Sequence, residues 1–480
     1  MTCSCGSGTG HLWSRLVQRI LRPDRLPVLA GTCVLLLAGQ GCTRAGKSPS
    51  GITLTLIDQS WVDKESQARL NEQLRHFTNW SGIRVEVLPA PEAAVEQIAT
   101  WRKLLESKAS TPDVYAVDVI WPGILADHLL DLKSYIPAQE IAAHFPELIA
   151  NNTVNGRLVS LPYNTSAGLL FYRIDLLRQY GYRAPPKTWD ELEAMAARIQ
   201  AGERAKGQKN FWGFVWQGAP SEALTCNALE WQVSEGGGTI IENGTITVDN
   251  PQTIRAWVRA ARWVGSISPR GVVAYKEWDA FNIWQAGAAF MRNWTSAYVA
   301  AAAPGSPTRG KFDIAPLPSG RVGGAATLGG NGYGVSRYSL HPHEAEMLVR
   351  FLCGRDEQRR RSLNAAEPAT IPDIYNDPQV LAANPHFSTV LDVYRKGLAL
   401  RPSRATGKMY PDVSRAYYEA VHSVLTGNMT AARAAAGLQG QLVQITGLRP
   451  SVTPARAAYD RGMARPAGRE PRAADKRGRP

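Results

Sequence analysis

The sequence predicts an α/β protein of two domains, each with a mainly parallel sheet flanked by helices. Two observations carry this prediction. The chain has 480 residues, which is more than one ordinary hydrophobic core supports. Segments with the period-two pattern of strands alternate with segments of helical spacing, an order that is typical of parallel sheets covered on both faces.

The alternation is clearest near the start of the mature chain. We predict strands at 52–57, 83–88 and 114–121, with helices at 63–79 and 93–108 between them. Ligands of such sheets bind at the carboxyl ends of strands. Asp118 and Trp121 stand at that end of the third strand.

Helix-start signals organise the rest of the chain. Thr188 and Glu191 form a capping box before Trp189. Asn250-Pro251 places an N-cap residue before a first-turn proline. Further helices are predicted at 277–289, 343–362, 379–396, 411–425 and 430–446, and the Gly-rich passage 323–334 separates the first of these from the others.

The charge does not point to nucleic acid. Of the net charge of +13, residues 1–41 carry +3 and residues 449–480 carry +6, which leaves +4 between them without a basic stripe. The 14 tryptophans are a more informative feature, because flat rings are what sugar faces pack against.

Both chain ends read as segments outside the fold. Arginines, the uncharged apolar run from Leu26 to Ala38 and small residues before Cys42 predict an export signal over 1–41. Gly41-Cys42 suits lipid modification of Cys42, and ordinary cleavage that leaves a free thiol is the alternative. Residues 42–51 are predicted to be a flexible tether and 449–480 a disordered basic tail.

Cysteine usage gives no metal or disulfide framework. Besides Cys42, the mature chain keeps Cys226 and Cys353, which either pair or remain buried thiols. We expect no metal and no cofactor.

Four blocks carry a family resemblance. They span 112–123, 161–173, 211–218 and 290–294. Together they resemble the bacterial extracellular solute-binding protein family 1, and within it the trehalose/maltose-binding branch of sugar importers. The resemblance extends from about Ile52 to about Gly447.

The resemblance implies a two-lobe periplasmic-binding-protein fold of type II-like topology, joined by a multi-strand hinge. We place the N-terminal lobe at 52–165 and 333–370 and the C-terminal lobe at 166–332 and 371–448. The hinge crossings are expected near Asn164–Gly168, Gly330–Gly334 and Ala365–Pro372.

The implied function is capture of a di- or oligosaccharide by hinge closure, without catalysis. The expected partners are the permease subunits of an ATP-driven (ABC) importer. We expect an exported monomer, periplasmic or at the cell surface and held to the membrane through lipid on Cys42.

The resemblance also implies sugar contacts. Asp118 would accept hydrogen bonds from sugar hydroxyls, Trp294 would stack on a pyranose, and Arg401 would bridge two hydroxyls. Glu65 at the start of the first helix is a further candidate. The alternative roles are a structural carboxylate for Asp118, a core ring for Trp294, a solvated side chain for Arg401 and a favourable helix-dipole position for Glu65.

The chain departs from the branch pattern at the site. Asn164 and Ser166 stand where the branch has a tyrosine and an acidic residue. Leu328-Gly329-Gly330-Asn331 ends in an amide where the branch has a tryptophan. We predict that Asn164, Ser166, Gly330 and Asn331 bind the sugar, and that Trp121 or Tyr333 replaces the missing tryptophan ring. These departures leave the identity of the sugar open.

Other functions remain open at this stage. A binder of glycerol phosphate or another polyol would need basic residues, for which Arg401 and Arg292 are the candidates. A secreted glycoside hydrolase would need paired carboxylates. An adhesin or sensor would use the same binding fold.

Overall fold

The computed structural model describes residues 51–59, 64–91 and 94–451. The predicted signal, Cys42, nearly all of the tether and the tail from residue 452 lie outside the described residues, as does the side chain of Glu65. The described chain forms two compact units. Unit 1 runs to Ser166 and resumes over Gly329–Ser388, and unit 2 comprises Ala167–Leu328 and continues from Thr389.

The strands are β1 (Thr53–Ile57), β2 (Arg84–Leu88), β3 (Val114–Asp118), β4 (Thr153–Val154), β5 (Arg157–Leu158), β6 (Leu161–Arg173), β7 (Trp212–Val215), β8 (Ile241–Glu242), β9 (Thr245–Ile246), β10 (Ala288–Trp294), β11 (Phe312–Ala315), β12 (Ala326–Val335), β13 (Leu398–Ala399) and β14 (Arg449–Pro450). The α-helices are α1 (Lys64–Ser81), α2 (Ala94–Glu106), α3 (Pro122–Leu125), α4 (Ala138–Ala142), α5 (Pro146–Asn151), α6 (Ile174–Gln179), α7 (Trp189–Ala205), α8 (Glu222–Ser234), α9 (Pro251–Trp263), α10 (Glu277–Gly287), α11 (Ala297–Ala302), α12 (Pro342–Cys353), α13 (Arg355–Ala365), α14 (Pro378–Ala383), α15 (Phe387–Lys396), α16 (Ser403–Thr406), α17 (Tyr410–Leu425) and α18 (Ala431–Thr446).

Unit 1 has the parallel sheet that the sequence predicts. β1 pairs in parallel with β2 and with β3, and the second half of β12 runs antiparallel to β3. The apolar positions at helical spacing on α1, which are Leu70, Leu74 and Phe77, are all buried in the core of this unit. The α/β class is therefore confirmed.

Unit 2 has a mixed sheet. β10 is parallel to β7, whereas β6 is antiparallel to both β10 and β11. Its core is rich in aromatic rings: Trp231 meets Trp216 and Trp263 edge to face, with ring centroids 5.0 and 5.5 Å apart. Most tryptophans among the described residues are core residues rather than sugar platforms, and the buried ones are Trp101, Trp121, Trp189, Trp216, Trp231, Trp257, Trp263 and Trp284.

Two helix caps form as the sequence predicts. The Glu191 amide donates to Thr188 Oγ1 over 3.1 Å while Glu191 Oε2 accepts from the Thr188 amide, which completes the capping box of α7. The amide of Thr253 donates to Asn250 Oδ1 over 2.9 Å at the start of α9. Each cap satisfies a backbone amide that has no partner within its helix.

Three predicted elements were too long. The third strand ends at Asp118, because the chain turns there and Trp121 already precedes α3. The helix predicted over 343–362 is two helices, α12 and α13, that meet at Gly354. The helix predicted over 379–396 is also two helices, α14 and α15.

Residues 371–388, which the sequence places in the C-terminal lobe, belong to unit 1. Aromatic packing explains this placement. The ring of Tyr375 lies 6.1 Å from that of Phe145 and 5.3 Å from that of Phe387, measured between centroids. Residues 449–451, predicted to begin the tail, instead extend a small sheet in which β14 pairs with β9.

Two buried histidines of unit 1 predict how stability depends on pH. Burial lowers the pKa of His144 and of His386 to about 4, against an ordinary value near 6.5. His144 is 3% exposed, and its Nδ1 lies 2.7 Å from Thr370 Oγ1. The unfolded chain therefore binds protons below pH 6.5 that the folded protein does not bind until about pH 4.

We expect the free energy of unfolding to fall as pH falls through this window, by on the order of 3 kcal/mol per histidine at its lower end. Thermal unfolding at pH 7.5, 6 and 5 measures the loss. His144→Gln should flatten it, because glutamine does not titrate. An identical pH dependence in the variant would contradict this explanation.

Candidate functional site

Asp118 ends the most buried strand of unit 1. Val114 to Val117 are all buried, and Asp118 at the carboxyl end is half-buried. Its Oδ1 accepts from the Ile120 amide over 3.1 Å, and its carbonyl accepts from the Trp121 amide over 2.8 Å. The turn thus fixes a carboxylate at the end of a strand, which is where the predicted sugar contact was expected.

Asn331 is the register partner of Asp118 on β12. The backbone amide of Asn331 donates to Asn164 Oδ1 over 2.9 Å, and Asn164 Nδ2 donates to the Glu367 carboxylate over 2.7 Å. Three predicted site residues of unit 1 therefore form one cluster, which we call the amide cluster: Asp118, Asn164 and Asn331.

Gly330 permits the close approach that builds this cluster. Its φ is +118°, a conformation that favours glycine. A Cβ atom there would lie 2.4 Å from the Asn164 carbonyl oxygen. Gly330 therefore has a backbone role at the site, and any side chain would push β12 away from β6.

One polar atom of this cluster and one of nearby Ser166 lack a hydrogen-bond partner in the described part of the chain. Among the described residues, Asn331 Oδ1 and Ser166 Oγ are buried side-chain atoms that make no hydrogen bond. Leaving such a group unsatisfied costs about 1–3 kcal/mol. Both atoms are therefore able to hydrogen-bond with a polar ligand.

Trp294 ends β10 in unit 2 and is half-buried. The guanidinium carbon of Arg292 lies 4.3 Å from its ring centroid. A cation at that distance is attracted to the negative face of the indole. The ring is therefore held from one side by an arginine of its own strand.

Arg292 is itself fixed by a buried ion pair. Its Nε and Nη2 donate to the two carboxylate oxygens of Glu230 over 2.9 and 2.5 Å, and the side chains are 1% and 0% exposed. Burial alone would lower the pKa of Arg292, but the Glu230 carboxylate raises it above its ordinary value. Gln217 Oε1 accepts from Arg292 Nη1, and Glu230 Oε1 accepts from the Thr327 amide.

Gly168 shows how tightly this pair is enclosed. It is the register partner of Trp294 on β6, and a Cβ atom there would lie 2.1 Å from Glu230 Oε1. Only glycine fits between the strand and the ion pair. The backbone of β6 beside Trp294 therefore packs directly against the Arg292–Glu230 pair.

Arg401 makes internal contacts in unit 2. Its side chain is 6% exposed, Nη1 donates to Glu222 over 2.7 Å, and Nη2 donates to the Leu328 carbonyl over 2.8 Å. Tyr410 and Ser414 also donate to the Glu222 carboxylate. The contact of Arg401 with sugar stays a prediction. In the structure its guanidinium donates to Glu222 and to the Leu328 carbonyl.

Comparison with known proteins identifies the family. Residues 64–359 match the family model described as bacterial extracellular solute-binding protein. The chain belongs to this family. A "Probable ABC transporter-binding protein" of Deinococcus radiodurans is 47% identical over 370 residues, which cover 76% of this chain and 88% of that protein. The family consists of substrate-binding proteins, which are not enzymes.

Solved structures agree with this assignment. The maltose-bound MalE3 of T. maritima is 35% identical, superposes with a TM-score of 0.74 and covers 82% of this chain and all of that one. UgpB from Mycobacterium tuberculosis in complex with glycerophosphocholine has the same fold at 19% identity, with a TM-score of 0.69, and covers 82% of this chain and 98% of that one. The two-lobe fold class predicted from sequence is therefore confirmed.

The two rings predicted to replace the missing tryptophan of this solute-binding protein are core residues. Trp121 is 3% exposed and packs edge-on against Trp101, with centroids 6.0 Å apart. Tyr333 is 2% exposed, and its hydroxyl donates to Asp58 over 2.5 Å. Neither presents a ring face, so this prediction was wrong.

The sequence reading missed three carboxylates that position the site: Glu222, Glu230 and Glu367. Glu230 could have been found, because a carboxylate in an apolar run needs a buried partner. That is the signal that selected Asp118. Glu367 carries no such signal, since its contact with Asn164 joins residues 203 apart in the chain.

Cys226 and Cys353 are free and buried, which settles the alternative that the sequence left open. Burial raises the pKa of each thiol to about 12. In the part of the chain that the structure describes, no helix is both long and apolar enough to cross a membrane.

Proposed function

We propose that this solute-binding protein captures a di- or oligosaccharide, of trehalose or maltose type, for an ABC importer. The amide cluster carries the proposal. It combines a carboxylate with two carboxamides, and the buried hydroxyl of Ser166 lies two residues beyond Asn164 on β6. Sugar hydroxyls both donate and accept hydrogen bonds, so a sugar can satisfy such a mixture of groups.

Trp294 supports the same ligand class. A half-buried indole with one face on a guanidinium can pack its remaining surface against the C–H face of a pyranose. The buried Arg292–Glu230 pair limits its motion, so little conformational entropy is lost when the ligand binds.

Charge favours a sugar over a phosphorylated polyol. Arg292 and Arg401 are the two arginines that a phosphate would need, and each is paired with a buried or partly buried glutamate. The carboxylate of Asp118 would also repel an anion at the amide cluster. A phosphate ligand would have to replace existing ion pairs.

The relatives favour a sugar as well. The 35% identical MalE3 structure holds maltose, whereas the relative with glycerophosphocholine shares 19% of its residues and therefore supports the fold alone. The departures at Asn164, Ser166 and Asn331 leave the linkage open. Glu65 remains a further proposed contact.

We propose the same cellular arrangement that the resemblance implies. The protein is exported, held to the membrane through lipid on Cys42, monomeric, and delivers its ligand to the permease subunits. The chain passes from one unit to the other three times, and we propose that ligand binding closes the protein at these crossings.

Asp118→Asn tests the amide cluster. The variant keeps Oδ1 as the acceptor for the Ile120 amide and loses only the charge. Because hydrogen bonds to a charged group contribute about 1.5–3 kcal/mol, we expect the dissociation constant for the sugar to rise roughly 10- to 100-fold in calorimetric titration.

Asp131→Asn is the matched control. Asp131 is also half-buried in unit 1, and its Oδ1 accepts from the amide two residues ahead, that of Lys133, over 3.1 Å. The Asp131→Asn variant should bind the sugar as tightly as the unmodified protein does. Equal affinity in Asp118→Asn would remove the carboxylate from the binding site.

A further inference from the structure

Trp278 is an indole that the proposed site does not use. It is 65% exposed, although burying a tryptophan is strongly favourable. Its ring packs edge-on against buried Phe281, with centroids 5.4 Å apart. An exposed indole that packs on a core residue presents ring surface on which a ligand can stack.

The fold brings Trp278 to the same end of unit 2 as Trp294. α10 leads directly into β10, and one hydrogen bond joins the start of this helix to the end of this strand. Asn293 Nδ2 donates to the Glu277 carbonyl over 3.3 Å.

Trp278 and Trp294 each follow one member of that hydrogen-bonded pair. With 3.8 Å between consecutive Cα atoms, the Cα atoms of the two tryptophans lie within roughly 17 Å of each other. A ligand a few pyranose rings long spans such a distance.

The surroundings of Trp278 suit a neutral ligand rich in hydroxyls. The Lys276 amide donates to Asp279 over 2.9 Å, which fixes the first turn of α10 and hence the base of the indole. Glu277 and Asp279, the neighbours of Trp278 in the chain, add negative charge to the first turn of α10 and disfavour an anion.

We infer that Trp278 is an outer stacking platform for a further ring of an oligosaccharide whose first ring packs on Trp294. The inference rests on the proposed sugar function and extends it. The ligand range then includes α-linked glucans longer than a disaccharide, and Trp278 selects for length.

The test compares the full-length protein with Trp278→Ala, Trp278→Phe and Trp80→Ala. Trp80 is a matched control, because it is also 65% exposed but belongs to unit 1. Each protein is titrated calorimetrically with maltose, maltotriose, maltotetraose and maltopentaose, after thermal unfolding has shown that its midpoint is unchanged.

The unmodified protein should bind the longer glucans more tightly than maltose. Trp278→Ala should weaken the longest glucans about tenfold and leave maltose within about twofold, since one stacking contact is lost. Trp278→Phe should keep part of the tighter binding of longer glucans. Trp80→Ala should bind each glucan as tightly as the unmodified protein does.

Three results would overturn the inference. Trp278→Ala could bind every length as the unmodified protein does, and if transport alone then failed, Trp278 would be a contact for the permease. It could lose maltose and maltopentaose equally, which would make Trp278 part of the first subsite. An unmodified protein that binds disaccharides and no longer glucan would also contradict it, whereas binding of no sugar at all would refute the proposed function itself.

Discussion

Arg292→Met should lower the free energy of unfolding by about 3–5 kcal/mol, because it leaves the Glu230 carboxylate buried without its counter-ion. Both side chains are enclosed, and Glu230 would keep the Thr327 amide as a partner. Chemical denaturation followed by tryptophan fluorescence measures the loss. A change below about 1 kcal/mol would mean that water reaches the pair.

Two controls separate the ion pair from general effects of the substitution. The double variant Arg292→Met, Glu230→Met removes both charges and should recover much of the loss, since apolar replacements of buried pairs are often close to neutral. Arg415→Met breaks an exposed pair with Asp412 in the same unit and should cost at most about 1 kcal/mol.

Trp294→Ala should give the largest loss of sugar affinity, on the order of 30-fold or more, because large aromatic residues dominate such interfaces. The variant keeps the Arg292–Glu230 pair, so the free energy of unfolding should change much less than in Arg292→Met. Calorimetric titration with the sugar that binds best measures the loss.

Trp212→Ala is the control for this variant. Trp212 is also a half-buried tryptophan of unit 2 with an arginine over its ring, in this case Arg204 at 4.4 Å. It stands at the start of β7, whereas Trp294 ends the parallel strand β10. Its loss should leave affinity unchanged, and equal losses in the two variants would argue against Trp294 as the sugar platform.

Local sequence signals predicted the elements and the place of Asp118. Period-two apolar runs and caps such as Thr188 act within a few residues, so their outcome does not depend on the rest of the chain. Asp118 could be selected as a candidate because a carboxylate in an apolar strand is costly unless it has hydrogen-bond partners.

Long-range partners were not predictable from one sequence. Arg401 looked available for a ligand, but its partner Glu222 is 179 residues away in the chain. Trp121 looked like a ring at a strand end, but the chain turns at Asp118 and buries it against Trp101. Both outcomes depend on tertiary packing, which residue patterns alone do not specify.

The departures from the branch pattern differ in what the structure explains. Asn164 Oδ1 accepts from the backbone amide of Asn331, a donor that any residue at position 331 would supply. That bond therefore depends on the side chain of Asn164 and not on that of Asn331. Asn331 remains the register partner of Asp118 on β12.

A thermal-shift screen of the purified protein tests the central claim most directly. The panel holds trehalose, maltose, sucrose, longer glucans, monosaccharides and glycerol phosphate. A bound ligand at about 100 times its dissociation constant should add roughly 2.7 kcal/mol of stability. We predict a clear rise in unfolding temperature with at least one di- or oligosaccharide and none with glycerol phosphate. A rise with glycerol phosphate alone would contradict the sugar function.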